Sequence, residues 1–193
     1  LFIWNNNIKD KSRLDHVITQ NTNAKLKIYV YHSVINVGGL GRFIMSRYLN
    51  KTQSNIRHVI FIDDDEILPT DFVESIVSQN IKYSNIYGKI SINWFGRKFV
   101  KGKSYAPIDS NGNLIGTRAK YHICDVNSFD CYDYGGTGGM CIESSAFNYN
   151  DLFENIPLKY LYCEDLWLSY YLTTKYKYKF IKTDLNIEII KGK

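Results

Sequence analysis

No stretch of this chain is long and apolar enough to span a bilayer as a helix, and no cleavable leader is visible at its start. Lysines and arginines never gather into runs, although 24 of them against 19 acidic residues leave a net charge of +5. That scatter argues against a nucleic-acid partner, whose phosphates call for a concentrated basic patch. There is no internal repeat, no low-complexity segment and no evident domain boundary. Only four cysteines occur, Cys124, Cys131, Cys141 and Cys163, and none belongs to a Cys-x-x-Cys pair. His122 alone does not complete a zinc pattern, so structural thiols are expected, with one disulfide left open. A cytoplasmic location is the matching expectation. The chain opens on Leu1-Phe2-Ile3-Trp4, which reads as a buried strand. A preceding segment of a longer polypeptide is therefore expected.

What is present is core-forming material. Of the 193 residues, 45% are hydrophobic and 15% aromatic, with 16 tyrosines. That suffices for one packed domain. Turn-forming Asn5-Asn6-Asn7 follows the first apolar run, and Ser12 to Thr19 reads as a helix. Lys25 to Tyr31 has the alternation and β-branching of a strand. A helix is expected next, with Leu40, Phe43, Ile44 and Tyr48 on one face. His58 to Ile62 looks like a strand buried on both sides. Pro69 is placed to start a helix burying Phe72, Val73, Ile76 and Val77. Such alternation predicts an α/β fold: a mixed, mostly parallel, Rossmann-like sheet flanked by helices. Further strands are expected within Ile86 to Trp94, Phe99 to Lys101 and Met140 to Glu143, and one or two within Tyr178 to Ile190. A loop covers 102–133, and a buried helix runs from Glu164 to Thr174.

Three features carry chemistry. Asp63-Asp64-Asp65, with Glu66 behind, follows the apolar run Val59-Ile60-Phe61-Ile62. Like charges this dense repel unless a cation or solvent screens them, and carboxylates suit Mg²⁺ or Mn²⁺. The same residues also serve to end a strand and cap a helix, and the cluster alone does not separate sugar transfer from phosphoryl transfer or hydrolysis. Glu164-Asp165 opens the last helix, where the macrodipole favours an ionised carboxylate. A general base needs that ionised form. Gly135-Gly136-Thr137-Gly138-Gly139 lacks the Gly-Lys-Ser/Thr ending of a phosphate loop and suits a tight turn or a wall with exposed backbone. Asn36-Val37-Gly38-Gly39-Leu40-Gly41-Arg42 opens a helix that can receive an anion with help from Arg42.

In order and spacing these segments resemble the family-2-like nucleotide-sugar glycosyltransferases of GT-A fold. Leu1 to Asn7 resembles that family's second strand and nucleotide-contacting turn, and Asn36 to Arg42 its Asn-x-Gly-Gly-x-x-Arg segment. Phe61 to Pro69 is similar to the metal-binding Asp-x-Asp region. Gly138-Gly139-Met140 resembles the turn beside the donor sugar, and Cys163-Glu164-Asp165 the Glu-Asp motif of the catalytic base. The resemblance covers nearly the whole chain. It implies an inverting, metal-dependent enzyme moving a hexose-like sugar from a nucleotide donor, a UDP-sugar first among them, to a glycan hydroxyl. Asp65 and Asp63 would hold Mn²⁺ or Mg²⁺; Asn6, Arg42, Asp63, Asp64, Gly138 and Gly139 would contact the donor. Asp165 would act as base, with Glu164 as the alternative. Residues 1–95 would form the nucleotide and metal half, and 96–193 the acceptor and base half. Two departures stand out: the family's first strand has no counterpart before Leu1, and no histidine lies between Thr174 and Lys193. Two other functions compete, a nucleotidyltransferase or phosphohydrolase using the acidic cluster, and a non-catalytic carbohydrate-binding module.

Overall fold

The structure, a computed structural model, describes residues 1–21, 26–53, 55–99, 122–123, 129–154, 156–157, 160 and 163–190. The chain is a mixed α/β protein and packs as two compact units, Leu1–Ile56 with Phe147–Glu164, and Arg57–Ala146 with Asp165–Lys193. This division follows a different line from the halves expected on either side of residue 95.

In the first unit, β1 (Phe2–Asn5) pairs in parallel with β2 (Tyr29–His32), and α1 (Lys11–Asn21) connects them. Helix α2 (Leu40–Thr52) follows. Register sets Phe2 beside Tyr29 and Trp4 beside Tyr31, and both ring pairs stack, at 4.9 and 4.6 Å. The Trp4 indole lies where a Cβ on Gly41 would stand, so α2 sits close only because residue 41 lacks a side chain. Leu40 and Phe43 are buried, Phe43 against Phe147 at 5.8 Å. Ile44 (41% exposed) and Tyr48 (61%) are not. The expected apolar face of α2 therefore divides: Leu40 and Phe43 enter the core, whereas Ile44 and Tyr48 line an open groove of about 440 Å³ with Trp4, Tyr31 and Met45. Strand β1 exists as expected, although Leu1 and Phe2 are exposed.

The second unit is built on a five-stranded sheet. Its members are β3 (His58–Phe61), β5 (Ile90–Asn93), β8 (Cys131–Tyr132), β10 (Met140–Glu143) and β11 (Lys179–Lys182), in the order β3-β10-β5-β11-β8. Strands β3, β5 and β11 run one way and β10 and β8 the other. The sheet is mixed, as expected, but not mostly parallel: β10 inserts between β3 and β5, and β5–β11 is the one parallel pairing within it. Central β5 is buried throughout: Ile90 and Ile92 enter the core, and the buried polar side chains of Ser91 and Asn93 alternate with them, Asn93 donating to the Gly136 carbonyl. Strand β3 lies at the edge and only Phe61 is buried, which corrects the expectation of burial on both sides.

Helix α3 (Phe72–Tyr87) packs Phe72 and Ile76 onto Ile90, Ile92, Cys141 and Ile181. Pro69 precedes it and accepts from the Phe72 N–H at 3.1 Å, instead of forming its first turn. Val73 faces solvent at 62% exposure and Val77 is partly buried. The helix also absorbs Ile86 and Tyr87, so the strand expected from residue 86 begins at Ile90. Strand β4 (Glu66–Ile67) pairs with β12 (Glu188–Ile189), and β6 (Gly96–Phe99) lies between β7 (His122–Ile123) and β9 (Tyr134–Gly135). Helix α4 (Glu164–Tyr176) buries Leu168, Ser169, Tyr171 and Leu172 but exposes Tyr170, so only part of the helix expected to be buried is so. Residues 100–101 of one expected strand and most of the expected 102–133 loop lie outside the described residues.

Cys131 and Cys141 are free thiols, and burial pushes the Cys141 thiol pKa up to about 12. No helix among the described residues is long and apolar enough to cross a membrane.

Candidate functional site

The acidic turn leaves the edge strand β3 and enters β4. Ile190, past β12, donates its N–H to the Asp65 carbonyl at 2.7 Å, so a distant segment pins the turn. Within it, the Glu66 carboxylate accepts the Asp63 N–H at 3.0 Å. Asp64 and Asp65 are exposed, whereas Asp63 and Glu66 are half-buried. A Cβ on Gly138 would collide with the Glu66 carboxylate and lie 2.9 Å from Asp63 Oδ2. Two carboxylates thus converge on one glycine. The sequence pattern paired Asp63 with Asp65; the fold pairs Asp63 with Glu66, a residue that looked like a strand-end cap. Glu66 was detectable as one more acid in the cluster, but its aim depends on a turn that spacing does not describe.

Burial raises the Glu66 pKa above its ordinary value, and the charges of Asp63 and Asp65 add to the rise. Backbone hydrogen bonds from Asp63 and Gly139 work the other way. Removing a carboxylate from water and setting it beside like charges both favour the neutral acid.

The glycine segment is buried throughout. Asn93 Nδ2 donates to the Gly136 carbonyl at 3.0 Å, Trp94 donates its N–H to the Gly139 carbonyl at 2.9 Å, and Gly135 N–H reaches Ser169 Oγ of α4 at 3.1 Å. Gly139 has φ of 61°, and a Cβ there would lie 2.6 Å from Ile187 Cδ1 and 2.8 Å from Trp94 Cβ. Both the left-handed backbone and the crowding demand glycine.

In the first unit, the Asn6 side chain is occupied with its own fold. Its Oδ1 accepts from Trp4 Nε1 at 3.0 Å and from the Val37 N–H at 3.1 Å, and its Nδ2 donates to the Gly38 carbonyl at 2.9 Å. Asn6 therefore shapes the backbone that leads into α2. Gly38 has φ of 60°, and its N–H is held by Asn36 Oδ1 at 2.8 Å. Gly39 caps α2 without a side chain, and the Glu164 carboxylate occupies the space a Cβ would need there. An anion at a helix start is stabilised by the macrodipole, so Glu164 fills the kind of position that the Asn36–Arg42 segment offers an anion. Arg42, in the first turn of α2, is half-buried. Asp165 begins the other unit's share of α4, and its Oδ1 accepts the Leu166 N–H at 2.7 Å.

Among the described residues, no group of three or more His, Cys, Asp or Glu side chains is arranged to hold a metal ion. The donor set at Gly138 is two carboxylates, with exposed Asp65 in the same turn. That is too few for a protein-only cage but fits a hard divalent cation that takes one or two carboxylates and completes its shell with ligand phosphates. Cation binding would also relieve the repulsion that raises Glu66.

No protein-family model matches the chain, and no curated protein matches it. Among solved structures, the crystal structure of A197 from STIV is similar, with a TM-score of 0.50 at 13% identity, over 99% of this chain and 84% of that one. A likeness at that identity speaks to the path of the backbone and establishes the mixed α/β fold.

Proposed function

We propose that the chain is a metal-dependent, inverting glycosyltransferase that moves a sugar from a nucleotide donor, a UDP-sugar first, to a hydroxyl of a glycan or similar acceptor. The observation that carries this reading is the convergence of the Asp63 and Glu66 carboxylates on Gly138 beside the turn at Gly139. Asp63 and Glu66, with Asp65 adjacent, would hold Mn²⁺ or Mg²⁺, and the ion would supply charge neutralisation for a departing diphosphate. The missing side chain of Gly138 is what lets both carboxylates come this close to one point of the backbone.

Asp165 takes the acceptor hydroxyl proton. The freed oxygen attacks the anomeric carbon from the face opposite the diphosphate, forming the new glycosidic bond as the old one breaks, so the anomeric configuration inverts. Its neighbour Glu164 is the alternative base. Asn6 works through the Val37–Gly38 backbone, and Arg42 brings a guanidinium suited to phosphate.

Calorimetry of the whole chain against a panel of nucleotide sugars, with and without Mn²⁺, tests the reading. Metal-dependent nucleotide binding is expected, weakened at least about tenfold, or roughly 1.4 kcal/mol, by Gly138→Ala or Asp63→Asn. Asp165→Asn should abolish release of nucleoside diphosphate while leaving the fold intact by circular dichroism. Absence of metal-dependent nucleotide binding overturns the proposal. Release of phosphate or nucleotide monophosphate identifies a phosphohydrolase or nucleotidyltransferase instead. Sugar binding that survives both acid substitutions without turnover identifies a binding module.

A further inference from the structure

The first unit contains a chain of side-chain hydrogen bonds that the mechanism above does not use. Asn5, 8% exposed at the end of β1, stands opposite His32 in register on β2. Its Nδ2 is 3.0 Å from His32 Nδ1, and His32 Nε2 is 3.0 Å from Asp15 Oδ1 on α1. Asp15 Oδ2 in turn receives Lys11 Nζ at 2.5 Å.

The polarity of this chain follows from Asn5. Its Oδ1 accepts the Asn7 N–H at 2.9 Å and its Nδ2 donates to the Asn7 carbonyl at 2.8 Å. Turning the amide over would oppose donor to donor and acceptor to acceptor at Asn7, so the orientation is set. An amide NH₂ only donates. His32 Nδ1 must therefore be bare, and the ring proton sits on Nε2, aimed at the Asp15 carboxylate. A second proton on the ring has only Nδ1 to occupy, where it would meet the Asn5 NH₂ head-on. Asp15 draws the charged ring toward α1, and the hydrogen bonds from Lys11 and His32 hold that carboxyl below the usual carboxylate range. Lys11 and Asp15 are the charged groups this chain brings to His32; Asn5, from β1, is neutral.

We propose that His32 is a proton-operated latch on the Asn5-Asn6-Asn7 turn, with Asp15 as its positioning partner. Neutral His32 ties Asn5 in place; protonated His32 keeps Asp15 and releases Asn5. The turn carries Asn6, which holds Val37 and Gly38 at the approach to α2. Acidification therefore loosens the backbone on which Glu164 rests. As a regulator of nucleotide binding the latch rests on the function proposed above; as a conformational switch it does not.

The test is ¹⁵N NMR of the full chain from pH 8 to pH 5, with the His32 imidazole followed alongside. The amides of Asn7, Val37 and Gly38 should move with the midpoint of His32, and His32→Asn, which keeps an acceptor for Asn5 but does not titrate, should abolish that movement. Asp15→Ala, which removes the acceptor that positions His32 Nε2, should weaken the coupling of those amides to His32, a second reading that does not need the His32 variant. UDP affinity in Mn²⁺ should fall about threefold to tenfold across the titration, the worth of one hydrogen bond. Turn amides indifferent to His32, or an unchanged pH dependence in His32→Asn, overturn the latch. Amides that follow His32 in a protein that binds no nucleotide at any pH uphold the latch and sink the glycosyltransferase reading.

Discussion

Glu66 shows how one side chain acquires a property its sequence position does not announce. Its folded pKa is raised by burial and by neighbouring carboxylates, so the folded state binds the proton more tightly than the unfolded chain does. By linkage, its contribution to stability is unfavourable above the folded pKa, improves as pH falls through that value, and levels off below the ordinary glutamate value of 4.5. Without divalent cations, the wild type should therefore gain stability relative to Glu66→Gln on acidification from pH 7 to pH 4.5. Urea denaturation of both proteins at the two pH values measures this. A difference that is flat or of opposite sign would show that the carboxyl is not held among like charges. Mn²⁺ should remove the effect, because a cation stabilises the ionised form.

At the scale of elements, the close approach of α2 to β1 rests on the missing side chain of Gly41. Alanine favours a helix interior over glycine by about 0.8–1.0 kcal/mol. Here the added methyl would stand inside the Trp4 indole, which is itself stacked on Tyr31, and overpacking of this kind costs about 1–3 kcal/mol. The clash outweighs the propensity. Gly41→Ala should lower the melting temperature by a few degrees, at about 2–4 °C per kcal/mol for a chain of this size. Thermal denaturation followed by circular dichroism reads the sign, and a rise would contradict the packing. Much of the element plan was legible from local signals. Alternation and β-branching disclosed β2, strand-like runs within Ile86–Trp94 and Tyr178–Ile190 disclosed β5 and β11, and periodic apolar residues disclosed α2 and α3. Which apolar residues were buried was less legible: Val73, Ile44 and Tyr48 fit a helical stripe, but the neighbours they meet are decided by tertiary packing. The pairing of Asp63 with Glu66 was hidden because β12, more than a hundred residues downstream, pins the turn.

The whole molecule is interleaved. The backbone passes from one unit to the other after Ile56, returns at Phe147, and leaves again between Glu164 and Asp165. The two neighbours considered as catalytic base thus belong to different units: Glu164 lies with Gly39, and Asp165 shares its unit with Asp63 and Glu66. Adjacent in sequence, they serve different surroundings, which the motif alone did not disclose.

That interleaving also sets a timetable. On a ribosome the segment ending at Ile56 emerges first, but Phe147, which packs on Phe43, is polymerised 91 residues later. At about 5–20 residues per second, the first unit waits roughly 5–20 s for its closing piece. Nascent chains stalled before Phe147 has cleared the exit tunnel should therefore be cut within Leu1–Ile56 by a dilute protease, and chains stalled well beyond Glu164 should resist it. Equal resistance at both stall points would mean that the first segment holds its shape unaided. During synthesis, Phe43 thus has to wait for the ring that packs on it until Phe147 has been made.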